Sequence, residues 1–312
     1  MFCMAKKKKI SIIIPVFNEE LNIPTVATVL TEVTNKNKRY HYEFIYVDNG
    51  SQDHSREIIQ VLKKKDNRIR GVFLSRNFGP EASAQAGFDQ AHGDAAIGYA
   101  CDMQDPAELI LEFISEWEMG ADVVTGVYTK LEDNFVMSFL RRSFYRIFKT
   151  ISSIDVPVNS SGYGLTSRKV LDAMKSLPEK YRFYRGLRAW VGFKTVYVTY
   201  VRRQRQFGKS SYNLFKYFKH AERSFFGFSY VPLDFLIYTG FILVFLSFIA
   251  LITFAVTLLP DGKSFSLEEM IFFCMLLFGG IQLLALSIVG KYIQVIVEET
   301  KSRPTYIIER II

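Results

Sequence analysis

Ser11-Ile12-Ile13-Ile14-Pro15-Val16-Phe17-Asn18-Glu19-Glu20 runs from a β-branched apolar segment straight into polar residues, and a helical pattern over Leu21–Thr34 follows it. A short run that is apolar at consecutive positions reads as a strand buried on both faces, which a parallel sheet covered by helices provides. The same succession recurs along the first half of the chain. Phe44–Val47, Val72–Leu74, Ala96–Tyr99 and Val123–Gly126 read as further strands, and Ser55–Lys65, Glu81–Ala91 and Ala107–Trp117 as the helices between them. Strands alternating with helices at this spacing imply an α/β fold with a doubly wound, mostly parallel sheet. Ligands of such sheets gather beyond the carboxyl ends of the strands, so the polar residues there carry the functional information.

The C-terminal part is a different object. Leu233–Leu259 and Met270–Val289 are each long enough to cross a hydrocarbon core of roughly 30 Å at about 1.5 Å per residue. Phe235–Thr257 carries no charge, which argues against two buried helices of a soluble core, and only Pro260–Glu269 separates the two segments. The expectation is a transmembrane hairpin over residues 232–297, with spans at about 233–259 and 270–290. Before it, Leu214, Phe218, Ala221, Phe225 and Phe228 recur at helical spacing, with Lys216, Lys219 and Arg223 off that stripe. This predicts a basic amphipathic helix over residues 213–231, lying in the headgroup plane; a helix packed on the head is the alternative. Residues 1–212 then form the head and residues 298–312 a tail. A head cut after Tyr212 is expected to fold, because its five strands lie upstream.

Charge supports a membrane setting. The net charge is +8, but residues 233–312 hold five Lys/Arg against seven Asp/Glu, leaving 34 against 24 in residues 1–232. Between Arg182 and Arg223 there are eleven basic residues and one acid, Glu222, a stretch suited to anionic headgroups or a phosphate-bearing substrate. A nucleic-acid binder has no need of a membrane hairpin, so nucleic acid is not expected as a partner. The loop between the spans has one Lys, while the basic head, Lys301, Arg303 and Arg310 flank the other side. The positive-inside rule puts head and tail in the cytoplasm. Cys3, Cys101 and Cys274 are scattered without metal-type spacing, which fits a reducing compartment. The apolar run after Lys6–Lys9 is too short and too soon acidic for a signal peptide.

Three expected strands end in polar clusters: Pro15–Glu20, Val47-Asp48-Asn49-Gly50-Ser51-Gln52-Asp53, and Cys101-Asp102-Met103-Gln104-Asp105-Pro106. One Asp after a strand is commonly the cap of the next helix. Three such clusters on one edge of one sheet point to a ligand instead. Asp48 can accept from a base or a ribose, and Asp102 offers hard oxygen to Mg²⁺ or Mn²⁺ bridging a diphosphate.

Together with Ser75-Arg76-Asn77-Phe78-Gly79, Arg182–Gly192, Arg205-Gln206-Phe207-Gly208-Lys209-Ser210-Ser211-Tyr212, Val289-Gly290-Lys291-Tyr292 and Arg303-Pro304, these clusters resemble the inverting family 2 glycosyltransferases of GT-A fold. The chain is most similar to their polyisoprenyl-phosphate branch, the bactoprenol glucosyltransferase and dolichol-phosphate mannose synthase group. The resemblance runs nearly end to end. No Gln-x-x-Arg-Trp occurs, which argues against a processive polysaccharide synthase.

The resemblance implies inverting transfer of a sugar from a UDP- or GDP-linked donor to an undecaprenyl- or dolichyl-type phosphate on the cytoplasmic face, for cell-envelope or glycan modification. It assigns the nucleotide-sugar to Pro15, Phe17, Asn18, Glu19, Asp48, Gly50, Ser51, Arg76, Asn77, Asp102 and Gln104. It assigns the acceptor phosphate to Arg141, Arg205, Lys209 and Ser210, and Mg²⁺ or Mn²⁺ to Asp102 and Gln104, with Asp105 as a further candidate. Asp102, Asp105 and Arg205 would carry catalysis. A phosphate acceptor is already ionised at neutral pH, so the work is holding two anions together and neutralising the departing diphosphate.

The chain departs from the family pattern at three places. The common Asp-x-Asp at the metal site has Ala100 as its first member; Ser161-Gly162-Tyr163 stands where Gly-Asp-(Phe/Tyr) is usual; and Asn49 replaces the second Asp of Asp-Asp-Gly-Ser. These changes support a second reading, a catalytically weak relative acting as a binding or scaffold subunit of a membrane glycosylation complex. A transporter is disfavoured, because two spans without internal charge offer no pathway unless several chains assemble as a homo-oligomer.

Overall fold

Lys9–Val16 forms the central strand, β1, of an eight-stranded sheet. The computed structural model describes residues 7–129, 159–179, 182, 184–203, 236, 238–240, 242, 245, 249 and 267–312. After β1 come α1 (Ile23–Asn35), β2 (His41–Asp48), α2 (Ser55–Lys65), β3 (Ile69–Leu74), α3 (Pro80–Asp89), β4 (Ala95–Gly98), α4 (Leu109–Glu118) and β5 (Val123–Tyr128). Further on lie β6 (Ser160–Ser167), α5 (Arg168–Ser176), α6 (Tyr184–Trp190), β7 (Thr195–Tyr200), α7 (Leu267–Thr300) and β8 (Ile308–Ile311).

The apolar run of β1 is explained by what covers it. Side chains alternate across a strand. Ile10, Ile12, Ile14 and Val16 therefore join one buried cluster, with Ile23, Val26 and Leu30 of α1 and Ile110 and Phe113 of α4. Ile13 joins the cluster on the opposite face, with Ala86 and Phe88 of α3 and Leu171 of α5. Each fully buried isoleucine contributes about 1.5–3 kcal/mol over an exposed one. Helix α3 approaches β1 so closely that a Cβ on Gly87 would lie 2.2 Å from Ile13 Cγ2.

The strand order is β7-β5-β6-β4-β1-β2-β3-β8. The pairs β1–β2, β1–β4, β2–β3 and β5–β7 are parallel, and β4–β6, β5–β6 and β3–β8 antiparallel. The chain winds outward in opposite senses from β1 and β4, which puts the topological switch point between their carboxyl ends.

The doubly wound, mostly parallel sheet is thus present, with three strands beyond the five expected. β6 escapes a pattern search because its sequence, SSGYGLTS, has little apolar content. β8 is short, and it lies in the segment expected to be a separate tail. Residues 302–312 in fact belong to the same compact unit as the sheet. Val72, Phe73 and Leu74 of β3 pair with Ile311, Arg310 and Ile308.

α7 belongs to the second compact unit. It begins before the expected span Met270–Val289 and runs past it, and its window Phe278–Val297 has mean hydropathy 1.7 with none of it buried. Among the described residues this one helix is long and apolar enough to cross a membrane. Of the expected two-span hairpin, the described residues contain the second helix. Most of the other span, and the amphipathic segment Asn213–Phe228, lie outside the described residues.

Candidate active site

The loops after β1 and β2 are laced into one surface. Asn18 N donates to Ser51 Oγ at 3.0 Å, and Gln52 N donates back to Asn18 Oδ1 at 2.8 Å. Glu19 N reaches Ser55 Oγ at 3.0 Å, Glu20 N reaches Asp53 Oδ2 at 3.1 Å, and His54 N reaches Glu20 Oε2 at 3.0 Å. Asn18 takes φ 56°, a left-handed conformation that Asn tolerates better than most side chains. The polar residues that follow Phe17 thus tie two strand ends together.

Asp48 lies under this surface. It is 0% exposed; Ser51 N donates to it at 3.1 Å, and the Arg56 Nε–H donates to Oδ2 at 2.6 Å. These bonds make Asp48 part of the framework that holds the rim. Asn49 is likewise occupied: its Nδ2 donates to Asn77 Oδ1 and Gly79 O, and its Oδ1 accepts from Phe78 N at 2.9 Å. An amide can donate and accept at once where a carboxylate only accepts, which gives the Asn at this position a structural reason. Gly50 is required on two counts, φ +74° and a space in which a Cβ would stand 2.6 Å from the Arg76 carbonyl carbon. Loops 48–53 and 75–79 therefore form one continuous rim, with the exposed Arg76 stacked 4.0 Å over the Phe78 ring.

Across the switch point, the loop after β4 carries the acids. Asp102 is partly exposed, accepts from Gln104 N at 3.3 Å, and has no ion pair among the described residues. Met103 between them has φ 56°, a left-handed strain of about 1–2 kcal/mol for a residue of this type. Asp105 is more enclosed: it is 4% exposed, accepts from Tyr200 Oη at 2.5 Å and lies 3.4 Å from Arg202 Nε, an ion pair without hydrogen-bond alignment. Burial pushes the Asp105 carboxyl above the ordinary range, countered only in part by Arg202 and Tyr200. Asp105 is thus a buried brace between this loop and β7, and Arg203 N adds a bond to Gln104 O at 2.8 Å. Beneath the loop, Tyr99, Phe113 and Tyr200 each pack edge to face on Tyr163, and Tyr163 Oη donates to Pro106 O at 2.7 Å.

The two unusual positions are informative. Ala100 is partly exposed on the strand end, and Gly162 is exposed on β6 with nothing within 4 Å of an added Cβ among the described residues. Neither packing nor backbone conformation demands glycine there. Arg141, Arg205, Lys209 and Ser210 lie outside the described residues. Sequence inspection did not single out Arg56, Tyr200 or Arg202. Tyr200 closes, and Arg202 follows, an apolar alternation, Thr195–Tyr200, that sits just before Arg202, Arg203 and Arg205 and would have marked a strand end.

The residues present fit a hard divalent cation. No group of three or more His, Cys, Asp or Glu side chains that could hold a metal occurs among the described residues. A partly exposed carboxylate, Asp102, with a partly exposed Gln104 two residues on, is nonetheless the kind of sparse donor set Mg²⁺ accepts when substrate phosphates complete its coordination.

The family profile "Glycosyl transferase family 2" matches residues 11–174. An uncharacterised glycosyltransferase, YkcC, of Bacillus subtilis is 38% identical over 309 residues, covering 98% of this chain and 95% of that one. The SfII prophage-derived bactoprenol glucosyl transferase of Shigella flexneri is 35% identical, covering 97% of this chain and 98% of that one. A prophage bactoprenol glucosyl transferase homolog of Escherichia coli is 34% identical, with 97% and 99% covered. Among solved structures, a Mycobacterium tuberculosis glucosyl-3-phosphoglycerate synthase in complex with Mn²⁺, UDP and glucosyl-3-phosphoglycerate aligns at TM-score 0.48 and 17% identity, over 69% of this chain and 77% of that one, a likeness too weak to transfer a ligand.

Proposed function

This chain belongs to glycosyl transferase family 2 as a polyisoprenyl-phosphate glycosyltransferase, and we propose that it transfers a sugar from a nucleoside diphosphate to a polyprenyl phosphate, inverting the anomeric carbon, with its head on the cytoplasmic face of a membrane. The observation that carries the reading is Asp102, a partly exposed acid with no ion pair among the described residues, in the loop after β4, the strand that neighbours β1. Full-length kinship with bactoprenol glucosyl transferases supports the lipid acceptor, and the apolar helix α7 supports a membrane setting.

In this reading Asn18, Ser51, Arg76 and Asn77 form the rim that receives the nucleotide. Asp48 and Asn49 hold that rim from below. Asp102 and Gln104 would hold Mg²⁺ or Mn²⁺, which when bound supplies charge neutralisation to a leaving diphosphate. The acceptor oxygen is an ionised phosphate, so no side chain need remove a proton from it. Arg205, Lys209, Ser210 and Arg141 remain the proposed partners of that phosphate, with Arg202 and Arg203 at the near end of the same basic stretch. Asp105 keeps the acid loop in place.

The test uses the full chain in detergent or vesicles with undecaprenyl phosphate and a panel of UDP- and GDP-sugars, followed by identification of the lipid product. A lipid-linked sugar whose anomeric configuration is opposite to the donor's supports the reading. Ala100 and Gly162 favour one rival, a subunit that only binds. Nucleotide binding without product from any donor would establish that rival.

A further inference from the structure

We infer that the C-terminal strand is a working part of the donor site, acting through Glu309 and Arg56 as positioning residues. This rests on the reading of loop 48–53 as the donor rim. Arg56 stands in the first turn of α2, and its guanidinium makes three directed contacts. Nε donates to Asp48 Oδ2 at 2.6 Å, Nη2 donates to Leu74 O at 2.7 Å, and Nη1 donates to Glu309 Oε2 at 3.0 Å. Those partners belong to the carboxyl ends of β2 and β3 and to β8, three strands adjacent in the sheet. One planar cation therefore pins three strand ends.

What it pins is the donor rim. Asp48 accepts from Ser51 N, and Ser51 Oγ accepts from Asn18 N. Leu74 leads directly into Ser75–Gly79, against which Gly50 packs. The C-terminal strand is itself fastened at both ends, by Ser75 N to Ile307 O at 3.0 Å and by Ile312 N to Gly71 O at 2.9 Å. The Glu309 side chain is 54% exposed. An exposed carboxylate on a guanidinium already committed to a buried one is an arrangement for orientation. Arg supplies it because its donors form a rigid fork, which the point charge of Lys does not.

Steady-state kinetics of the full chain with donor and lipid varied separately tests this, alongside calorimetric titration with UDP and GDP. Glu309→Ala should raise the donor KM and the nucleotide Kd about two- to five-fold, the range of a half-exposed ion pair, leaving kcat and the lipid KM unchanged. Glu309→Asp should restore part of the loss. In an Arg56→Lys background, Glu309→Ala should add nothing, because the bridge is already gone. A donor KM unmoved by Glu309→Ala, donor and lipid KM rising together, or an undiminished effect in the Arg56→Lys background each overturns the inference. Wild-type protein that binds neither nucleotide overturns the donor reading, and this inference with it.

Discussion

Asp102 and Asp105 stand on one loop, and burial divides their work. Asp105 is spent on Tyr200 and Arg202, whereas Asp102 accepts one hydrogen bond, from the Gln104 backbone N–H, among the described residues. Asp102→Ala should therefore abolish sugar transfer and leave the thermal melt within about 0.5 kcal/mol of wild type, as partly exposed substitutions usually do. Retained turnover, or a large loss of stability, would exclude it as the working acid. Gly162 offers the reciprocal experiment. Its Cβ position is open among the described residues, so Gly162→Asp should fold as well as wild type and shift the lipid KM. Unchanged kinetics would place residue 162 outside the acceptor path, and a drop in melting temperature would reveal a need for glycine that the geometry does not contain. Asp102 and Gln104 were legible in the sequence because they follow a strand directly. Arg56 was not, because one partner lies eight residues away and another, Glu309, lies 253 away.

At the scale of elements, the parallel core was legible because strands buried on both faces must be apolar at consecutive positions, as Ile12-Ile13-Ile14 is. β6 was hidden for the opposite reason: it is inserted antiparallel between β4 and β5, and its burial is achieved largely by small and hydroxylated residues. The amino ends of the strands hold a polar device that no motif announces. Glu43 of β2 is buried and accepts from Ser11 Oγ at 2.5 Å and from His92 N at 2.9 Å, with Lys9 Nζ at 2.5 Å. Burial alone would push this carboxyl up, but Lys9, Ser11 and His92 outweigh it and hold it below the ordinary range. A folded value below the unfolded one, about 4.3 for Glu, means the stabilisation is present above that pH and is lost as pH falls through the lower folded value. Glu43→Gln should thus reduce stability at neutral pH by about 1–3 kcal/mol and flatten the acid limb of the unfolding curve. An acid limb of unchanged slope would show that Glu43 does not titrate on unfolding.

At the scale of the whole molecule, β8 revises what can be cut. A head ending at Tyr212 was expected to stand alone, since its five anticipated strands lie upstream. The sheet instead finishes on residues 308–311, reached from α7 through a short connection. Without them, β3 becomes an edge strand whose Gly71 and Ser75 amides lose the partners Ile312 and Ile307. The apolar cover also goes, because Ile312 packs against one core cluster and Tyr306 and Ile308 against the other. An unprotected edge of this kind invites pairing between chains. Residues 1–212 expressed alone should therefore self-associate and melt lower than the head of the full chain. A peptide of Ser302–Ile312 added in trans should occupy the vacant edge by strand addition, raising the melting midpoint with its concentration as ligand linkage requires. The same peptide carrying Ile312→Pro should do so far more weakly, since proline cannot donate and Ile312 N bonds Gly71 O at 2.9 Å. A monomeric head that melts normally and ignores the peptide would show that β8 is an ornament of the sheet. The expected result would instead make the C-terminal strand the device by which a sheet interrupted by an apolar helix closes on itself.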